Sequence, residues 1–205
     1  MAEPQQPSLF TTQEWRVMAQ PGRYVAGQAP VHLDAATLNA WKTRIATYQA
    51  TAAQGQPEHQ PSLLAPAAGR PHPALAFDPL SQPSQGDAFY RLPPQFGTDA
   101  PCLYFVLDRA AALVLYIGET QHSRQRWAGH HDCKRYLTNY LNLHRQYGLE
   151  TRIAWAFAWD VPPAGRERKA LEAALIQRWW PPFNQEAWRR WGAPFRSGYQ
   201  AAQPI

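Results

Sequence analysis

The chain has 205 residues, 45% of them hydrophobic, with nine Trp and a charged fraction of 17%. That composition is globular, suffices for a packed core and carries less charge than a disordered protein would. No apolar run approaches the ~18 residues of a membrane span, and the N-terminus lacks the basic-then-apolar pattern of a secretion signal. Cys102 and Cys133 are the only cysteines, which indicates no disulfide framework and fits a reducing, cytoplasmic location. The formal charge of +5 is unevenly held: residues 1–99 contain six Lys/Arg and seven Asp/Glu (net −1), residues 100–205 fourteen and eight (net +6). A basic half suits a polyanionic partner, because each phosphate contact releases condensed counterions, although many soluble domains carry a similar surplus.

Residues 1–99 read as an N-terminal extension and hold 13 of the 20 prolines. One helix is expected there over 33–53. Asp34 is a good N-cap, and Leu38, Trp41, Ile45 and Tyr48 recur on one face. That seam belongs in the chain's own core or, alternatively, against a partner helix. Residues 54–74 are rich in Pro, Gly and Ala and read as linker or irregular wrapping. Phe77, Leu80, Phe89, Tyr90, Leu92 and Phe96 follow in a Pro-interrupted stretch expected to pack as extended chain on the next domain.

Residues 100–186 read as a single α/β domain. Strands are expected over 102–108 and 113–120, joined by a short connection over 109–112 that favours a hairpin. Both runs are apolar on both faces, which predicts central rather than edge strands. Ser123 caps a short helix over 123–131. A second helix follows Asp132, with Tyr136, Tyr140, Leu143 and Tyr147 on one stripe and Gly148 as its stop. Residues 152–159 alternate between a bulky face (Ile153, Trp155, Phe157, Trp159) and an alanine face (Ala154, Ala156, Ala158) and predict a third strand. A helix over 166–180 ends at Pro181-Pro182. The order β-β-α-α-β-α describes a compact sandwich, a small, mainly antiparallel three-stranded sheet flanked by helices. Residues 187–205 form a basic, aromatic tail.

Several polar residues stand out at fixed spacing. Tyr104, in Cys102-Leu103-Tyr104, precedes Tyr116 by twelve positions, and Tyr116-Ile117-Gly118 closes the second strand. Arg126 lies eight residues after Gly118, His130 four further on, and Asn184 twelve after Glu172. This ordered set, over about 101–186, resembles the GIY-YIG nuclease family. Cys102-Leu103 stands where that family's name has Gly-Ile, and Glu119 follows Gly118 where some relatives, including repair nucleases, carry Lys.

The resemblance implies a metal-dependent endonuclease that hydrolyses DNA phosphodiester bonds by single-metal, in-line attack of water, leaving 5′-phosphate and 3′-hydroxyl ends. It implies catalytic roles for Tyr104, Tyr116, Arg126, His130 and Glu172, and substrate contacts from Gly118, Arg124 and Asn184. Glu172 would hold Mg2+ or Mn2+. DNA is the implied partner, of undetermined strandedness and with RNA also open. The alternative is a nucleic-acid-binding module of the same fold without turnover, for which Glu119 and the altered first motif leave room.

The residue types suit this chemistry in their own right. A carboxylate is a hard ligand for Mg2+, which binds through one or two carboxylates plus substrate phosphate. A guanidinium bridges phosphate oxygens through its fork, and spacing favours Arg126 over Arg124 for that role. Tyr116, with an ordinary pKa near 10, would take the proton of the attacking water, directly or through a neighbour. Tyr104 would hydrogen-bond within the site. His130 lies one helical turn beyond Arg126 and would orient a water or Tyr116. Each residue has a plainer use: an i,i+4 ion pair of Glu172 with Arg168, a solvated Arg126, half-buried strand tyrosines. His122, His130, His131 and Cys133 match no closed zinc pattern.

Overall fold

The computed structural model describes residues 33–54, 74, 77–85, 100–122 and 132–192. The expected helix over 123–131, with Arg124, Arg126 and His130, lies outside the described residues, as do Phe89, Tyr90, Leu92 and Phe96.

Helix α1 spans Ala35–Ala53, and the Asp34 carboxylate caps it by accepting from the Thr37 N–H at 2.7 Å. Strands follow at Ser84–Gln85 (β1), Cys102–Asp108 (β2) and Leu113–Thr120 (β3). Then come helix α2 (Asp132–Gln146), strand β4 (Ile153–Ala158), helix α3 (Gly165–Trp179) and a single helical turn, α4 (Trp188–Trp191). Gly148, at φ +61°, stops the chain just past α2, a left-handed position where glycine carries no Cβ penalty. Trp180 closes α3 in the same region, at φ 43°. The Pro181-Pro182 pair bars the helix from continuing.

The sheet is antiparallel, in the order β1-β4-β2-β3. Its three long strands are those expected. The two-residue β1, pairing Ser84 with Ala156 and Gln85 with Trp155, adds a fourth. Among the described residues, the expectation that both apolar runs are central holds for β2 alone, since β3 lies at the edge of the sheet. Its two-sided apolar pattern arises because helices cover both of its faces, and side chains satisfy its open edge.

One face of the sheet packs Tyr104, Val106, Leu113, Leu115 and Trp155 against α1 (Leu38, Ile45), α2 (Tyr136, Tyr140, Leu143) and the end of the described chain (Phe183, Ala187, Trp191). The other packs Leu103, Phe105, Leu107, Val114, Ile117 and the β4 alanines against Leu175, Ile176 and Trp179 of α3. The bulky and small faces of β4 thus match a two-helix cover on one side and one close-packed helix on the other. Phe77 stacks on Phe105 (5.4 Å).

Leu38 and Ile45 are fully buried in the same cluster as the sheet, so the α1 seam is part of this core. The boundary expected near residue 99 is therefore not a break in the core, nor is the one at 187, since Ala187 and Trp191 are buried with it. Two arginines pin the earlier segment through main-chain carbonyls and one serine hydroxyl. Arg109 donates to Leu80 O, Gln82 O and Ser84 Oγ, and Arg178 to Ala52 O and Phe77 O. No helix among the described residues is long and apolar enough to cross a membrane.

At the turn end of β2, Asp108 is completely buried. It accepts from the Tyr140 hydroxyl (2.6 Å), the Thr151 hydroxyl (3.1 Å) and the backbone N–H groups of Ala110 and Arg152 (both 3.0 Å). Lys42 Nζ stands 3.7 Å away. Burial alone would raise the Asp108 pKa, but these donors and the Lys42 charge outweigh it and hold the carboxyl below its usual range. Lys42 also reaches His144 Nε2 at 2.8 Å, while His144 Nδ1 meets Tyr140 O at 2.7 Å. The network fastens α1 to α2 and β2.

Candidate active site

The Tyr-Ile-Gly motif lies at the end of the sheet away from the β2–β3 turn. Val106 pairs with Tyr116 and Leu107 with Val114, so Leu115 is an extra residue in β3. This bulge puts Leu115 and Tyr116 on the same face, against α2. Tyr104 pairs with Gly118, and its ring stacks on Tyr116, centroids 5.9 Å apart at 29°. Gly118 has an ordinary backbone conformation, and its requirement is one of space. A Cβ added there would stand 2.8 Å from Tyr104 Cε1 and nearer still to Cζ and the hydroxyl. Glycine at this position is what lets the two tyrosines stack.

Tyr116 and Glu172 line one cavity of about 470 Å³, together with Tyr136 from α2, Gln177 from α3, and Asn184 and Glu186 from the turn beyond α3. Glu172 is half-buried, and its Oε1 accepts from the Glu119 N–H at 3.0 Å. The carboxylate is thereby held beside the residue that follows Gly118. Arg168, one turn earlier on α3, is fully buried and pairs with Glu119 instead: Nε to Oε2 is 2.8 Å, and Nη1 donates to the carbonyls of Pro162 and Pro163. The i,i+4 pair of Arg168 with Glu172 considered from sequence does not form. The Glu119 charge meets a buried guanidinium.

Asn184 is 6% exposed and uses both ends of its carboxamide on one residue. Its Oδ1 accepts from the Ile117 N–H and its Nδ2 donates to Ile117 O, both at 2.9 Å. The two bonds clamp the outer edge of β3, while Asn184 also lines the cavity. Tyr104, at 3% exposure, supports Tyr116 from behind.

Tyr104, Tyr116, Gly118, Glu172 and Asn184 are thus brought together, and Arg124, Arg126 and His130 lie outside the described residues. His122 is exposed, Cys133 is buried in the cavity wall, and no cluster of three or more metal-ligating side chains forms among the described residues. Sequence reasoning missed Gln177, Glu186 and Gln49. The first two are exposed side chains that no spacing or pattern marks. Gln49 carried one, since it falls four residues after Ile45 and three before Ala52 on the buried seam of α1. Comparisons with protein-family models, curated proteins and solved structures gave no match.

Proposed function

We propose that the chain is a metal-dependent endonuclease of the GIY-YIG type, hydrolysing DNA phosphodiester bonds in the cavity between β3 and α3. The observation that carries this reading is the convergence of a strand tyrosine and a helix carboxylate, Tyr116 and Glu172, on one half-open cavity. The net charge of +6 over residues 100–205 supports a polyanionic substrate.

Hydrolysis needs an activated water, stabilisation of charge on the phosphoryl oxygens and help for the leaving oxygen. Glu172, held by the Glu119 N–H and accompanied in the cavity by Glu186, presents hard oxygen donors that fit Mg2+ or Mn2+. When bound, the ion supplies positive charge to the phosphate oxygens and the leaving group. Tyr116, as its phenolate, takes the proton of the attacking water directly or through a neighbour and becomes the neutral phenol, and Tyr104 fixes its ring by stacking. Gly118 leaves the space that the Tyr104 ring occupies. Arg126 would share the charge of the pentacoordinate state, and His130 would orient the water. Water enters at phosphorus opposite the 3′ oxygen, whose departure leaves 3′-hydroxyl and 5′-phosphate ends. Cys102 and Cys133, both buried and outside any disulfide, suit action in the cytoplasm.

Labelled single-stranded, duplex and branched DNA, and an RNA of the same sequence, incubated with and without Mg2+ or Mn2+, test the reading. Cleavage that needs the ion and disappears in Glu172→Ala is expected. Metal-independent binding with no cutting of any substrate would instead identify a binding module.

A further inference from the structure

An edge strand exposes a row of unpaired N–H and C=O groups, and burying them without partners is costly. Among the described residues, the outer edge of β3 is closed by individual side-chain and main-chain contacts rather than by a strand. Asn184 serves Ile117, the Phe183 N–H donates to Leu115 O at 2.9 Å, and Glu172 accepts from Glu119. The remaining clamp comes from α1. Gln49 Oε1 accepts from the Val114 N–H at 2.8 Å, and Gln49 Nε2 donates to Val114 O at 2.9 Å and to Trp179 O at 3.0 Å.

This side chain is fully buried, and its three bonds use both amide hydrogens and the oxygen. Two of them hold the strand that carries Tyr116, immediately before the bulge that turns Tyr116 toward the cavity. The third holds the C-terminal end of the helix that carries Glu172. Gln49 therefore joins the supports of both groups without touching the cavity itself.

We propose that Gln49 is a positioning residue for the Tyr116–Glu172 pair, so that α1 belongs to the catalytic unit. The inference rests on the nuclease reading above. A methionine at 49 fills a similar volume but forms none of the three bonds. Misplacement of reacting groups by a fraction of an ångström to 1 Å costs roughly 10- to 100-fold in rate.

The test uses the full chain carrying Gln49→Met, with ring-13C tyrosine NMR beside single-turnover DNA cleavage. A shifted Tyr116 signal and cleavage at least about tenfold slower are expected, with KM for DNA within about twofold. The Tyr147 signal is the control, since its hydroxyl donates to Leu33 O beside α1 and reports whether that helix stays docked. An unmoved Tyr116 signal, or a rate within twofold of the parent with Tyr147 unmoved, overturns the proposal.

If Tyr147 shifts too, Gln49→Glu decides. Its carboxyl can donate to Val114 O only when protonated, so the Tyr116 signal must return toward its parental position as the pH falls. Failure to return overturns the assignment. A parent protein that cuts no DNA defeats the nuclease reading, and the NMR results still decide whether Gln49 positions Tyr116.

Discussion

Replacing Gly118 by alanine inserts one methyl group where the Tyr104 ring already lies. The new Cβ would stand 2.8 Å from Tyr104 Cε1, against about 3.5–4.0 Å for an ordinary carbon–carbon contact. The ring cannot easily yield. Tyr104 is 3% exposed and stacks on Tyr116, and its strand is the central one of the sheet. Overpacking of this kind costs about 1–3 kcal/mol, and the rigid surroundings place Gly118→Ala near the upper end. Urea unfolding, with an unchanged m-value as the sign that only the native state is affected, measures it.

A second variant separates crowding from a general loss of order. Tyr104→Ala alone removes a buried ring and should cost about 3–5 kcal/mol, by analogy with other buried aromatics. In the double variant the alanine at 118 enters vacated space, so the two costs should fall short of additivity by about 1–3 kcal/mol. A Gly118→Ala protein within about 0.5 kcal/mol of the parent, or strict additivity, would show that the stacked tyrosines do not require the glycine.

Two further outcomes follow from the buried polar groups. Burial, opposed by the bond at Tyr140 O, and the neighbouring Lys42 charge, opposed by Asp108, leave the His144 pKa below its ordinary value. The unfolded chain therefore takes up this proton first. Stability is fully present above about pH 6.5 and declines as pH falls from there toward the lower folded value, with Asp108 contributing only in a separate, more acid window. Thermal melts between pH 7.5 and 5 should show the decline, and His144→Gln should flatten it; an equal slope in that variant excludes His144 as the source. Arg168→Met strands the Glu119 carboxylate and should destabilise by about 3–5 kcal/mol, whereas Arg168→Met with Glu119→Gln should recover much of the loss. Chemical denaturation of both variants checks this, and equal stabilities would mean that the pair is not coupled.

The strands over 102–108 and 113–120 were legible because β-rich apolar runs are bounded by a short polar connection, and α1 because its cap and seam are local signals. The edge position of β3 was not. Its apolar pattern matches a central strand, and its edge partners Gln49 and Asn184 lie 65 and 67 residues away in sequence. Strand β1 has two residues and no periodicity to read. Within the site, spacing pointed to Tyr104, Tyr116, Gly118 and Glu172, because the motif fixes their strands and helix. It did not reveal that Arg168 pairs with Glu119, which depends on how β3 and α3 pack, or that the Asn184 carboxamide closes the edge of β3.

Crystals soaked in Mn2+, with anomalous scattering measured near the manganese edge, test most directly whether Glu172 and Tyr116 form a metal-dependent centre. A peak in the cavity at about 2.1 Å from a Glu172 carboxylate oxygen, on the side facing Tyr116, is predicted, and it should vanish in Glu172→Ala. A manganese site elsewhere in a protein that cuts DNA with Mn2+, or a peak that survives loss of the Glu172 carboxylate, would contradict the assignment.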